Sequence, residues 1–276
     1  MIPAPVAHPD VPGPLSHLDA ERAKNRHFLV IAPLIGAVVL GLVTSLIGLP
    51  ISIPAGIALG FLVAVFVFFV LRRSAPTATI RSIGAVPAPE GSLPRVETLL
   101  SGLSVTMGVS APSLAVLVDD IANAAIVGKK GERTIVVTTA LVNDFSVLEL
   151  EGVLAHLLAH ERLGQVERGT FGAGLALLLG NLGRRGKVAH RLTGTGRLYR
   201  ADEVAAISVR YPVGLADALA KMEQGPLPAS SSLFASPVYA TLRWLFIDPS
   251  ITRRAVSDEF DDLDATGVRR RALEER

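Results

Sequence analysis

The 276-residue chain has no cysteine, which excludes a disulfide scaffold, a cysteine-ligated metal and a cysteine nucleophile. Charge is scarce as well: Asp, Glu, Lys and Arg make up 19% of the residues, against about 25% in an ordinary soluble domain. The charges nearly cancel, 27 basic against 25 acidic for a net of +2, so an isoelectric point near 9.1 carries no nucleic-acid footprint. Hydrophobic residues, at 50% with a mean hydropathy of +0.46, are in excess, and that rules out a chain disordered throughout. The composition is that of a membrane protein with a folded domain attached.

The apolar excess is local. Residues 28–49 and 51–71 are free of charge, with Pro50 and Pro54 marking a turn between them. Each run meets the ~20 residues that a helix needs to cross a bilayer, and backbone satisfaction in lipid requires both to be helical. So short a connection makes a hairpin with both ends on one side. Arg22, Lys24 and Arg26 precede it, and Arg72, Arg73 and Arg81 follow it. The positive-inside rule therefore places both termini in the cytoplasm of a two-span cell-membrane protein, with the lipid bilayer as its first partner. Residues 1–27 read as a Pro-rich disordered tail, 72–94 as an Ala/Pro/Gly linker, 95–256 as a globular domain of about 160 residues and 257–276 as a charged, solvated tail.

Within the domain, Val96–Met107 reads as a helix closed by Gly108. The β-branched runs 114–118 and 134–138 read as strands of a small sheet, separated by turn residues at Asn123, Gly128 and Gly131. Ser146-Val147-Leu148-Glu149 is a capping box, opening a helix from Val147 to about Val166. Residues 171–182 are too short an apolar run to span a bilayer and read as a buried helix, with a re-entrant or membrane-skimming segment as the alternative. Further helices are expected over 197–210, stopped by Pro212, and 214–223.

The informative residues are His156 and His160. Four apart on a helix, they lie about 40° apart around its axis, so both imidazoles can reach one ion. The spacing alone is a weak signal, because such pairs occur by chance and histidines more often sit satisfied by other groups.

The surroundings add a resemblance. Residues 112–119, Asn123-Ala124 with 134–141, the run 148–156 into the histidine helix, Ala201-Asp202 with 215–221, and Asp248-Pro249-Ser250 with Arg253 resemble, in order and spacing, the HtpX-like membrane zinc metallopeptidases, relatives of the CAAX prenyl proteases. That resemblance implies an α+β fold, a mostly helical gluzincin-type domain with a small sheet behind the transmembrane hairpin. It also implies zinc held by His156 and His160, with Asp202 orienting His156 from behind. The family's helix reads H-E-x-x-H, but Leu157 stands at the general-base position, and Leu198 stands where its third ligand, a glutamate, would be. Glu161 and Glu203 lie about 140° away around their helices and face elsewhere; Asp202 is the nearer candidate to move in as a ligand.

The resemblance thus implies a fold whose centre has lost both carboxylates. Zinc is doubtful, and the expected function is that of an inactive homologue acting as a polypeptide-binding or regulatory partner in membrane protein quality control. A membrane-protein client or an active paralogue would be its partner, bound along an edge formed by Asn123, Thr134, Ile135, Val136, Val137 and Thr138. The alternatives are an active zinc endopeptidase with an irregular site, and a structural membrane subunit.

Overall fold

A computed structural model describes residues 18–49, 52–129, 131–182, 186–252 and 264–275. The Pro-rich start of the chain, Pro50 and Arg253 lie outside the described residues.

Two long helices come first, α1 (Leu18–Gly48) and α2 (Ile53–Ile83), each of 31 residues. Both are long and apolar enough to cross a membrane, and their apolar side chains are largely exposed (Leu46, Ile47, Phe61, Phe66 and Phe69 among them). That is unlike a soluble core helix, whose apolar face is covered. The helices meet at small residues: a Cβ on Gly60 would overlap the Ser45 hydroxyl and the Gly41 carbonyl. Ser52 caps α2 by accepting from the Ala55 N–H at 3.3 Å.

Two sequence expectations are corrected here. Helix α1 begins at Leu18, within the expected tail, and α2 continues through the expected linker to Ile83. The continuation of α2 is held by packing: Ala75, Thr79 and Ile83 are buried, and the Thr79 hydroxyl donates to the Thr170 carbonyl at 2.7 Å.

The domain follows as β1 (Val86–Pro87), α3 (Pro94–Met107), β2 (Ser113–Leu117), β3 (Ala124–Lys129), β4 (Glu132–Thr138), α4 (Thr139–Asp144), α5 (Val147–Arg162), α6 (Val166–Leu178), α7 (Gly186–Thr193), α8 (Arg197–Ala206), α9 (Val213–Gln224), α10 (Ser232–Ala235), α11 (Pro237–Leu242) and α12 (Thr266–Glu274). The fold is mostly helical with a four-stranded mixed sheet in the order β1-β2-β4-β3. β4 runs parallel to β2 and antiparallel to β3, while β1 is antiparallel to β2.

The sheet is covered on both faces, and the two-residue period of a strand divides its side chains between them. Ala124, Ile126, Ile135 and Val137 join α3, α5, α8 and α9 in the main core. Ala115, Leu117, Ala125, Val127 and Val136 face the other way, towards Ala173 of α6, Leu242 and Phe246.

Helix α5 runs through the main core. Its capping box forms as expected, with Ser146 and Glu149 each accepting from the other's backbone N–H. From Gly152 to His160 every residue is buried, so the helix has no solvent face over that stretch.

The charged C-terminal run is a further correction. Helix α12 packs on α9 and α8, and Arg269 in its middle is fully buried. The domain therefore extends past residue 256.

Candidate metal-like centre at α5 and α8

His156 and His160 project from the same side of α5, their ring centroids 4.8 Å apart and their planes nearly perpendicular. Each presents Nδ1 to an oxygen. For His156 the partner is Asp202 Oδ1 on α8, at 2.6 Å; for His160 it is Gln165 Oε1, at 2.7 Å. An ionised carboxylate and an amide oxygen only accept, so the proton of each neutral ring sits on Nδ1. Both Nε2 atoms are then left as buried lone pairs without a hydrogen-bond partner among the described residues.

Electrostatics keeps the rings neutral. Burial lowers the His156 pKa, more than Asp202 restores it. His160 is held well below the usual histidine range by burial first, then by the charge of Arg197 and by His156. Asp202 goes the other way: burial pushes its carboxyl up, but Arg269 and then His156 hold it below the ordinary carboxylate range.

Arg197 opens α8 and is fully buried. Its Nη1 donates to the Trp244 carbonyl at 2.8 Å, while Nε and Nη2 have no hydrogen-bond partner among the described residues. Burial pulls this guanidinium down to about 10, yet it stays charged at neutral pH. Gly169 on α6 makes room for it: a Cβ there would lie 3.1 Å from the guanidinium carbon. Asp264 closes the cluster, accepting from the Gly196, Leu198 and Tyr199 N–H groups at the start of α8 and bonding His190 Nε2 at 2.7 Å.

The residues singled out from sequence fall as follows. His156, His160 and Asp202 are together. Leu157 and Leu198 are buried and apolar, joining no polar group through their side chains. Glu161 is turned away into an ion pair with Arg133. Asn123 and β4 do not form a peptide-binding edge. β4 is interior, bonded to β2 and β3, so its backbone has no free side. Asn123 is fully buried, its side chain spanning the Asp248 carbonyl and N–H at 2.8 and 3.2 Å.

Nor is β3 an open edge. The Ile247 N–H donates to the Ala124 carbonyl at 2.8 Å, Ala125 bridges Phe246, and the Gly128 N–H donates to the Thr170 hydroxyl at 2.9 Å. Sequence reasoning missed Gln165, Arg197, Asp264 and Arg269. Arg197 alone carried a signal, as the residue beside the Leu198 position.

Residues 92–209 match the family described as Peptidase family M48. Over that stretch, which is less than half of the chain, the protein is an M48 homologue. As an M48 homologue it is similar to the "Protease HtpX homolog" of Dictyoglomus thermophilum, 27% identical over 219 residues, covering 67% of this chain and 72% of the relative. A "Protease HtpX homolog" of Gemmatimonas aurantiaca is 26% identical over 273 residues, covering 83% of this chain and 96% of the relative. That of Halobacterium salinarum is 38% identical over 101 residues, only 37% of this chain and 35% of the relative. No solved structure matches.

The M48 assignment implies zinc, and the residues present do not fit it. Two buried Nε2 lone pairs are present, but among the described residues no group of three His, Asp or Glu side chains could hold a metal ion. A carboxylate ligand would offset the charge of a dication. Here two leucines take the expected positions, and a guanidinium brings a further positive charge to the histidines.

Proposed function

We propose that this chain is a membrane-anchored, non-catalytic HtpX homologue that acts as a regulatory partner of a membrane-protein client or an active paralogue. One observation carries the reading: at the paired histidines of α5, Leu157 and Leu198 stand for the base and the third ligand, and buried Arg197 supplies the positive charge. A general base contributes about 10² to 10⁴ in rate, and leucine offers no lone pair. The basic residues flanking both helices of the hairpin support placing the domain on the cytoplasmic side. With the β4 edge closed, partner contact falls to the outer surface of the domain or to the hairpin.

The test is zinc per chain in the detergent-purified protein, beside a His156→Ala, His160→Ala double variant and with cleavage of an unfolded protein followed in parallel. Zinc no higher than in the double variant, with no chelator-sensitive cleavage, is the expected result. Near-stoichiometric zinc that the double variant loses, with cleavage that follows it, would overturn the proposal in favour of an active endopeptidase.

A further inference from the structure

Two adjoining cavities lie where the hairpin meets the domain. One, of about 210 Å³, is lined by Arg22, Arg26, Arg133, Glu161 and Glu167 among others; the second, of about 190 Å³, by Arg72, Lys129, Glu167 and Phe171. Leu29 and Glu167 line both. Five cations thus face two carboxylates, and both carboxylates lie against Arg133. Three of the cations are engaged within the protein: Arg133 by those carboxylates, Lys129 by Glu132 at 3.0 Å, and Arg22 by the Arg162 carbonyl at 2.8 Å. Arg26 and Arg72 have neither an ion pair nor a side-chain hydrogen bond among the described residues, and both are exposed.

Their level matters. The exposed apolar side chains of α1 begin at Val30, about one turn past Arg26, and those of the spanning part of α2 end at Val70, two residues before Arg72. Both guanidiniums therefore sit at the foot of the apolar band, where phosphate headgroups of a bilayer lie. Leu29 and Phe171 supply an apolar wall beside them. The seam itself is fixed: Asn25 donates to the Leu163 carbonyl at 3.2 Å and accepts from Arg168 Nη1 at 2.9 Å, and Arg168 lies over the Phe28 ring.

We infer that this seam is a phosphate-binding site that takes the headgroup of an anionic phospholipid, with Arg26 and Arg72 as its principal contacts and the acyl chains rising past Leu29. Guanidinium donors match phosphate oxygens in pairs, and a lipid is the source that a site at this depth meets.

The test is native mass spectrometry of the full chain in detergent, titrated with phosphatidylglycerol or with phosphatidylcholine, together with thermal melting in inorganic phosphate. Phosphatidylglycerol should be retained in preference to phosphatidylcholine, and an Arg26→Gln, Arg72→Gln variant should lose about tenfold or more of that affinity. Arg73→Gln, which removes an exposed charge outside both cavities, should leave it unchanged, and circular dichroism checks that both variants fold. Stabilisation by inorganic phosphate that the double variant loses, with the two lipids bound equally, would keep the anion site but overturn its assignment to lipid. Equal binding of both lipids without a phosphate effect, or a folded double variant that binds phosphatidylglycerol as before, would overturn the inference.

Discussion

Arg269 grips Asp202 through two parallel hydrogen bonds, Nε to Oδ2 at 2.6 Å and Nη2 to Oδ1 at 2.9 Å, with both residues buried. The forked geometry lets the guanidinium satisfy both carboxylate oxygens while His156 takes a second bond to one of them. Helix α12 is thereby locked onto α8.

Removing one partner of such a pair leaves a buried charge uncompensated. Arg269→Met should therefore destabilise the protein by about 3–5 kcal/mol, read as a lowered denaturation midpoint in detergent. Adding Asp202→Leu to that variant should recover much of the loss, because the orphaned carboxylate goes too. A double variant no more stable than the single one would count against this account.

Asp264 gives the fold an acid limit. Burial raises its pKa, but the hydrogen bond and charge of His190, the Tyr199 N–H and Arg269 together hold it below the ordinary range. An unfolded aspartate titrates near about 3.9. The stabilisation is thus complete above that value and is lost as pH falls through the lower folded-state value. Denaturation midpoints measured downward from neutral pH should fall below about pH 4, and Asp264→Asn should flatten that limb while lowering stability at pH 7. An unchanged acid limb in the variant would sink the assignment.

The α2–α6 crossing tolerates no side chain at Gly174, where a Cβ would overlap the carbonyl group of Ala75. Gly174→Ala should push the helices apart at a cost of about 1–3 kcal/mol. Limited proteolysis is the direct readout, with faster cleavage between residues 84 and 93 in the variant. Gly102→Ala, which meets nothing within 4 Å, is the control and should be neutral or slightly stabilising.

Asn123→Ala should release the 246–248 segment from β3. Its amide holds both the N–H and the carbonyl of Asp248, and losing it leaves those groups buried and unpaired, at about 1–3 kcal/mol. Hydrogen exchange at Ile247, whose N–H donates to Ala124, should quicken in the variant well beyond the global change. Exchange that rises only in step with global stability would argue that the segment is held by packing alone.

What the sequence displayed was local. The capping box of α5 needs only four consecutive residues, and the spacing of His156 and His160 follows from helical geometry, while Asp202 was marked only by the family resemblance. The uncharged runs of α1 and α2 needed no tertiary information either. What it concealed was decided at a distance. Residues 74–83 carry Ser, Pro and Thr and resemble a linker, yet α6 covers Ala75 and Thr79 and keeps them helical. β3 was hidden because Gly128 looks like a turn residue; Gly131, three residues later, is the one with a positive φ, of 84°. Arg269 sits in a run of three arginines that looks solvated, and its carboxylate partner is 67 residues away. Arg197 is similar: its place beside Leu198 marks the position, but nothing in the local sequence shows that the cation is buried.

Helix α2 leaves the apolar band and reaches the domain with no break between Ile53 and Ile83, and Thr170 joins its Thr79 to the edge strand at Gly128. The domain is carried on a mast rather than a tether. A helix that leans to match a thinner or thicker bilayer must lean the whole domain with it, so a tilt of α2 is also a tilt of the domain's outer surface.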